Sequence, residues 1–350
     1  MKHFLTLAIL FFLYGNSNAQ TLGEFKPKDQ SYGLGKLKNS NKKIYIANFS
    51  VNFQIYNEKE KFKQGGRQLG GTMKGDAKSE ISVGLEGLDE KTVQDITDKL
   101  YQDYIGKLKA KGMIIVSADE AAKTESFEDY IKVSGGKVSM AELPGVMSTS
   151  PTGFEFLIKG VDKKGKTKKG GFLGNAASRY PKIGKDLGDA IVSNVNITVL
   201  FVRDQQAFQG NGAKLKVKTD LRIVANDAIV MTDNDSWIKM KGGNTVTAVN
   251  STVDFYHGKM GLGSTTVYSG LLGKDLSIGG VVDGETITSY AAGSFDNGIK
   301  TMYGTYFSVR DGSNTNAKVV SVDPAKYSKG VYEGASKFLN FHTDEFLKSF

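Results

Sequence analysis

The residues best able to do chemistry are five lysines in one short run: Lys163, Lys164, Lys166, Lys168 and Lys169. Gly165, Gly170 and Gly171 surround them. The run reads as a solvated basic loop, and its chemistry suits acidic polysaccharide, lipopolysaccharide or the anionic headgroups of a membrane surface. Beyond residue 19 only His257 and His342 remain as histidines, and neither has carboxylates or thiols at ligand spacing. The sequence holds no H-E-x-x-H and no G-x-S-x-G. Asp233-Asn234-Asp235 begins like a calcium loop but lacks the glycine and closing glutamate of one, so it reads as an Asx turn. These patterns predict no metal, no cofactor and no enzymatic activity.

Composition narrows the compartment. The 350 residues include no cysteine, so the core must hold the chain together without disulfides. Met1-Lys2-His3 is followed by an apolar run, Phe4 to Leu13, and then by Ser17-Asn18-Ala19. That order predicts a cleaved signal peptide over residues 1–19. Gln20 stands where a lipoprotein would carry its cysteine, so the exported chain is expected without a lipid anchor. No later run is long and apolar enough to be a membrane helix. The formal charge of +9 fits solubility or attraction to acidic envelope polymers. Nucleic acid is not an expected partner of an exported protein.

The elements that must position any site follow from periodicity. Residues 20–42 are polar and read as a linker. In residues 43–55 the apolar phase moves from Ile44 and Ile46 to Phe49, Val51, Phe53 and Ile55, which predicts a strand with a bulge near Asn48. Asp89 is an N-cap for a helix to Lys111, with Val93, Ile96, Leu100, Tyr104 and Leu108 on one stripe and Gly112 as the stop. Met113 to Val116 follows as a short strand. Val195, Ile197, Val199 and Phe201 form one face of another strand. Leu215 to Ile223 alternates apolar residues with Lys216, Lys218, Asp220 and Arg222, as a half-solvated strand does, and Ile229-Val230-Met231 reads as its hairpin partner. Asp323-Pro324 opens a last helix carrying Tyr327, Val331, Ala335, Phe338 and His342 on one face. The expected fold is α+β, a mixed β-sheet packed with helices. An α/β envelope domain covers 43–240, with insertions at 57–88, 119–151 and 162–185. A β-rich region follows at 241–322 and a C-terminal helix at 323–350.

Four blocks carry a family resemblance: Lys43-Ile44-Tyr45-Ile46-Ala47-Asn48-Phe49, the helix ending at Gly112 with Met113 to Val116, Gly153 to Gly160, and Leu215 to Met231. Together they resemble the opening strand, helix–strand pair, Gly-flanked central strand and closing hairpin of the CsgG-like periplasmic α/β domain of curli secretion proteins. The resemblance implies a non-enzymatic, often oligomeric protein of secretion or assembly at the outer membrane. The pore-forming members are lipoproteins, and here this chain departs from them. The expected function is therefore an exported scaffold, secretion or assembly component of the periplasm or outer membrane, bound to envelope proteins or to further copies of itself. The alternatives are a surface polysaccharide-binding module and a secreted enzyme with an unrecognised site.

Overall fold

The computed structural model describes residues 20–350 except 64–65, 68–72, 75–76, 129, 140–142, 144, 160–178, 206–213, 233–243, 259–264, 291–298, 302–303 and 307–317. The leader-like residues, the lysine run and Asp233-Asn234-Asp235 lie outside the described residues. The main strands, in chain order, are β1 (Thr21–Leu22), β2 (Pro27–Tyr32), β3 (Lys43–Gln54), β4 (Tyr56–Lys63), β5 (Ala77–Glu86), β6 (Ile114–Val116), β7 (Val146–Thr149), β8 (Ile191–Asp204), β9 (Lys214–Ile223), β10 (Thr252–Gly258), β11 (Thr265–Leu272), β12 (Leu276–Gly279) and β13 (Thr286–Tyr290). The two long helices are α1 (Glu90–Ala110) and α2 (Pro324–Leu347). The architecture is α+β with strand outweighing helix, and one 11-stranded sheet carries most of it.

Strands β3 and β8 run parallel at the centre of that sheet. The far edge of β8 is shared. Val192 to Asn196 pair with β10, and Val199 to Asp204 pair with β9, so the sheet forks into two arms. One arm continues from β10 to β11 and β2; the other continues from β9 to β12, β1 and β13. β4 and β5 form a long hairpin joined in parallel by Lys318–Ser321.

Both helices lie on one face of the sheet because their apolar stripes demand cover. Asp89 accepts from Thr92 N at 2.6 Å and starts α1, whose Val93, Ile96, Leu100, Tyr104 and Leu108 are all buried. Each such side chain contributes about 1.5–3 kcal/mol on burial. Asp323 caps α2 in the same way, through Lys326 N. Gly330 and Gly334, which lower the intrinsic helix propensity of α2, have a packing reason. A methyl group at Gly330 would stand 2.7 Å from Ile278 Cγ2 and overlap the Gln20 side chain. Lys107 bonds Asp344 at 2.6 Å and Tyr332 donates to Asp103 at 2.6 Å, tying α1 to α2.

The expected bulge is present. Ser193 pairs with Ile46 and Asn194 with Asn48, so Ala47 is the extra residue. Other expectations need correction. Residues 20–42 are no linker: β1 and β2 pair into the two arms, and Leu37 in the 3-10 turn Leu34–Asn39 is fully buried. Strands β10 to β13 join the same sheet as β3, so the expected boundary at 240/241 falls inside one sheet. Glu155–Ile158 is not central but pairs with Ile131–Ser134 in a separate two-stranded sheet. Asp227–Thr232 pairs with Asn244–Val249 instead of returning on β9, whose edges are taken by β8, β12 and β13. Arg222, expected on a solvated face, is fully buried. Its guanidinium bonds Asp220 at 2.8 Å, Asp227 at 2.5 Å and the Val202 carbonyl at 3.0 Å, while Asp275 lies 3.3 Å away.

Candidate functional site

The bulge at Ala47 decides which side chains share the face of the sheet opposite α1 and α2. Before it, Tyr45 points to this face; after it, Asn48, Ser50, Asn52 and Gln54 do, while Phe49, Val51, Phe53 and Ile55 join the core under the helices. On β8 the same alternation sets Asn194, Asn196 and Thr198 against Val195, Ile197 and Val199. Strand register then builds a straight polar row across four strands: Asn48 opposite Asn194, Asn194 opposite Asp254, and Asp254 opposite Ser269. A second row places Ser50 opposite Asn196 and Asn196 opposite Thr252.

These residues are wired together. Asn48 Nδ2 donates to Asn194 Oδ1 at 3.1 Å, Asn194 Nδ2 donates to Asp254 Oδ2 at 3.1 Å, and Ser269 Oγ donates to Asp254 Oδ1 at 2.5 Å. Ser50 Oγ and Asn52 Nδ2 both donate to Asn196 Oδ1, at 3.1 and 2.8 Å, and Ser148 Oγ donates to Asn52 Oδ1 at 2.7 Å. Gln54 Oε1 ends the ladder by accepting from Phe201 N and Val202 N, each at 3.1 Å, where the pairing of β8 with β9 slips by a residue.

Beside the first row lies an aromatic one, with Tyr45 opposite Val192 and Val192 opposite Tyr256. The short helix Tyr180–Asp186 sets Tyr180 over it, 5.1 Å from Tyr256 between ring centroids. Tyr180 Oη reaches Asn194 Oδ1 at 3.5 Å. Arg179 hydrogen-bonds Tyr130 and closes the rim. Asp254 is 6% exposed and has no ion-pair partner among the described residues. Burial raises its carboxyl above the ordinary range, against the lowering effect of the donors Ser269, Asn194 and Thr252. Burial likewise pushes the Tyr45, Tyr180 and Tyr256 phenols up. These side chains can recognise a polar ligand. The phenols hold their protons at neutral pH.

A second feature sits at the outer edge of β3. β6 covers Lys43–Tyr45 and β7 covers Val51–Gln54, and no described strand is paired to residues 46–50 on that side. A pocket of about 180 Å³ opens there, lined by Tyr45, Ile46, Tyr101, Val116 and Glu155. Burial pushes the Tyr101 phenol up to about 12. Ile114, at the start of β6, is 58% exposed.

The histidines stay apart. His257 Nε2 lies 3.2 Å from the Asp189 carbonyl, whereas His342 is buried under β11. Its Nε2 donates to the Leu271 carbonyl at 3.0 Å, leaving Nδ1 to accept from Tyr268 Oη at 2.8 Å. Among the described residues no group of three His, Cys, Asp or Glu side chains could hold a metal, and no helix is long and apolar enough to cross a membrane. The sequence reading missed the polar rows. The signal was there in N-x-S-x-N-x-Q from Asn48 and N-x-N-x-T from Asn194, where amides alternate with core residues.

No family model, curated protein or solved structure matches this chain.

Proposed function

We propose that this is an exported, non-enzymatic protein of the periplasm or outer membrane, serving as a scaffold or as a component of secretion or assembly. Its partners are envelope proteins or further copies of the chain. The single observation that supports this most is the sheet edge made by the outer side of β6, where Ile114 is exposed, and the adjoining residues 46–50 of β3, to which no described strand is paired. A sheet edge without a neighbour is a template for a strand from another chain. The leader-like residues 1–19 and the resemblance to the CsgG-like domain supply the compartment and the process.

Light scattering on the purified protein, together with capture from envelope extracts, tests the reading. Discrete oligomers or one captured envelope protein are expected, and Ile114→Lys should weaken either by placing a charge on the outer edge of β6. A protein that stays monomeric and captures nothing overturns the proposal.

A further inference from the structure

We infer that the partner segment received at this edge is an extended peptide that hydrogen-bonds to Ile115 on the outer side of β6 and inserts one aromatic side chain into the adjoining pocket of about 180 Å³. The inference rests on the reading of this edge as a partner's docking place, and it names what that partner must present.

Backbone geometry supplies the strand. Ile114 N–H donates to the Lys42 carbonyl at 2.9 Å, so the backbone groups of Ile114 face β3. Such groups alternate along a strand, and the N–H and C=O of Ile115 therefore point away from β3, out of the sheet. β6 pairs with β3 alone, so no described strand meets them. Ile115 also lines the pocket. A free donor–acceptor pair and a cavity thus meet at one residue. That is the combination by which a sheet edge takes a peptide: main-chain bonds hold it and a side-chain pocket selects it.

Volume and walls supply the ring. The space is close to the roughly 150 Å³ of an apolar cavity that takes a single benzene. It falls short of the roughly 300–1,000 Å³ of sites for drug-sized ligands. Tyr101 and Phe154 form one wall, with ring centroids 5.3 Å apart, and Ile115 and Ala118 add aliphatic surface. Aromatic side chains favour such tilted company. The space opens to solvent, since Ser117 and Gly153 on its lining are exposed and Tyr101 is half-buried. Charge at the mouth selects further. Glu155 and Asp119 share one ammonium group, Lys132, at 3.1 and 2.6 Å. Two carboxylates to one cation disfavour an acidic segment and suit neutral or basic residues on either side of the ring.

The test uses the purified full chain on an array of capped hexapeptides. One central position is fixed in turn as phenylalanine, tyrosine, tryptophan, alanine or aspartate, and its neighbours are randomised. The aromatic pools are expected to bind about tenfold or more better than the alanine pool, and the aspartate pool not at all. The best sequence, made with para-fluorophenylalanine at the fixed position, should show a shifted and broadened fluorine NMR signal. Tyr101→Ala removes a wall and Ala118→Leu fills the space, so each should weaken binding about tenfold, while Tyr101→Phe, which keeps the ring, should retain it. Melting curves identify any variant that fails to fold, and Tyr101→Phe compared with Tyr101→Ala then decides the matter within one position. Pools that bind alike, or not at all, overturn the inference. So does binding that Tyr101→Ala leaves unchanged, or capped para-fluorophenylalanine alone binding as tightly as the peptide, since the strand would then contribute nothing. Oligomers and captured envelope proteins are scored separately. A protein that forms them but ignores the aromatic pools loses this inference and keeps the scaffold reading; one that binds the aromatic pools but stays monomeric and captures nothing loses the scaffold reading alone.

Discussion

Arg222 and Asp254 are both charged groups buried in one sheet, one in each arm beside β8, and they are stabilised in opposite ways. Arg222 is surrounded by Asp220, Asp227 and Asp275, and Arg203 bridges Asp220 and Asp275 at 2.9 Å each. Charge meets charge, and the cluster pins β8, β9, the Asp227–Thr232 hairpin and the turn before β12. Asp254 meets only amides and hydroxyls. Neither neighbourhood is fully satisfied: Arg222 Nε, like Tyr45 Oη and Asn48 Oδ1, has no hydrogen-bond partner. The difference lies in what surrounds the buried group, opposite charge in one arm and neutral donors in the other.

The comparison can be broken most forcefully at Arg222. Arg222→Ala strips Asp227 of its cation and leaves Asp220 and Asp275 to Arg203 alone, and urea unfolding should show a loss of about 3–5 kcal/mol. A loss under about 1 kcal/mol, the level of an exposed pair, would mean that the cluster does not hold the arm together.

Gly270→Ala probes the reverse side of the Asp254 row. The added methyl group would overlap the His342 ring, with His342 Cβ at 2.7 Å. Overpacking of this kind costs about 1–3 kcal/mol. Thermal melting reads it, and an unshifted midpoint would show that α2 slides freely over β11.

The histidine itself titrates in the opposite sense to Asp254. Burial lowers His342 below its ordinary value, outweighing the Leu271 carbonyl, Asp29 and Glu345, which favour the proton. The unfolded chain thus binds the proton first. The stability contributed is present above about pH 6.5 and is lost as pH falls below it. His257 shifts the same way, so His257→Gln serves as the control. Stability followed by denaturation from pH 7.5 to about 5 should decline in the parent and decline less in His342→Gln.

The smallest effect is expected at Asp254→Asn. The folded carboxyl is raised, so its contribution is complete below the unfolded value of about pH 3.9 and is lost as pH rises through the folded one. The variant should be the more stable protein at pH 7, with the advantage vanishing toward pH 4. A destabilised variant at pH 7 would show that the charge is held by something besides the neutral donors.

The sequence made some of this legible and hid the rest for identifiable reasons. Strong local period revealed α1, α2 and the bulge, because each apolar stripe has one way to bury itself. Pairing beyond the local chain stayed hidden. Nothing in Asp227–Thr232 says that it returns on Asn244–Val249, and nothing in Pro27–Tyr32 announces an edge strand. Arg222 looked solvent-facing because its three carboxylates come together only in the fold, one of them, Asp275, 53 positions along the chain. The polar rows were half visible: the amides alternate openly, but their alignment across four strands depends on register.

Ala47 fixes that register with a single backbone unit. Upstream and downstream of it β3 keeps the same two-residue rhythm, offset by half a cycle, so the strand is two in-step messages separated by a comma. Substituting Ala47 would leave the comma in place; removing it would exchange inside for outside from Asn48 to Ile55. At this position chain length, counted as odd or even, carries more information than residue identity. Comparisons between related chains would find insertions and deletions here far rarer than changes of side chain.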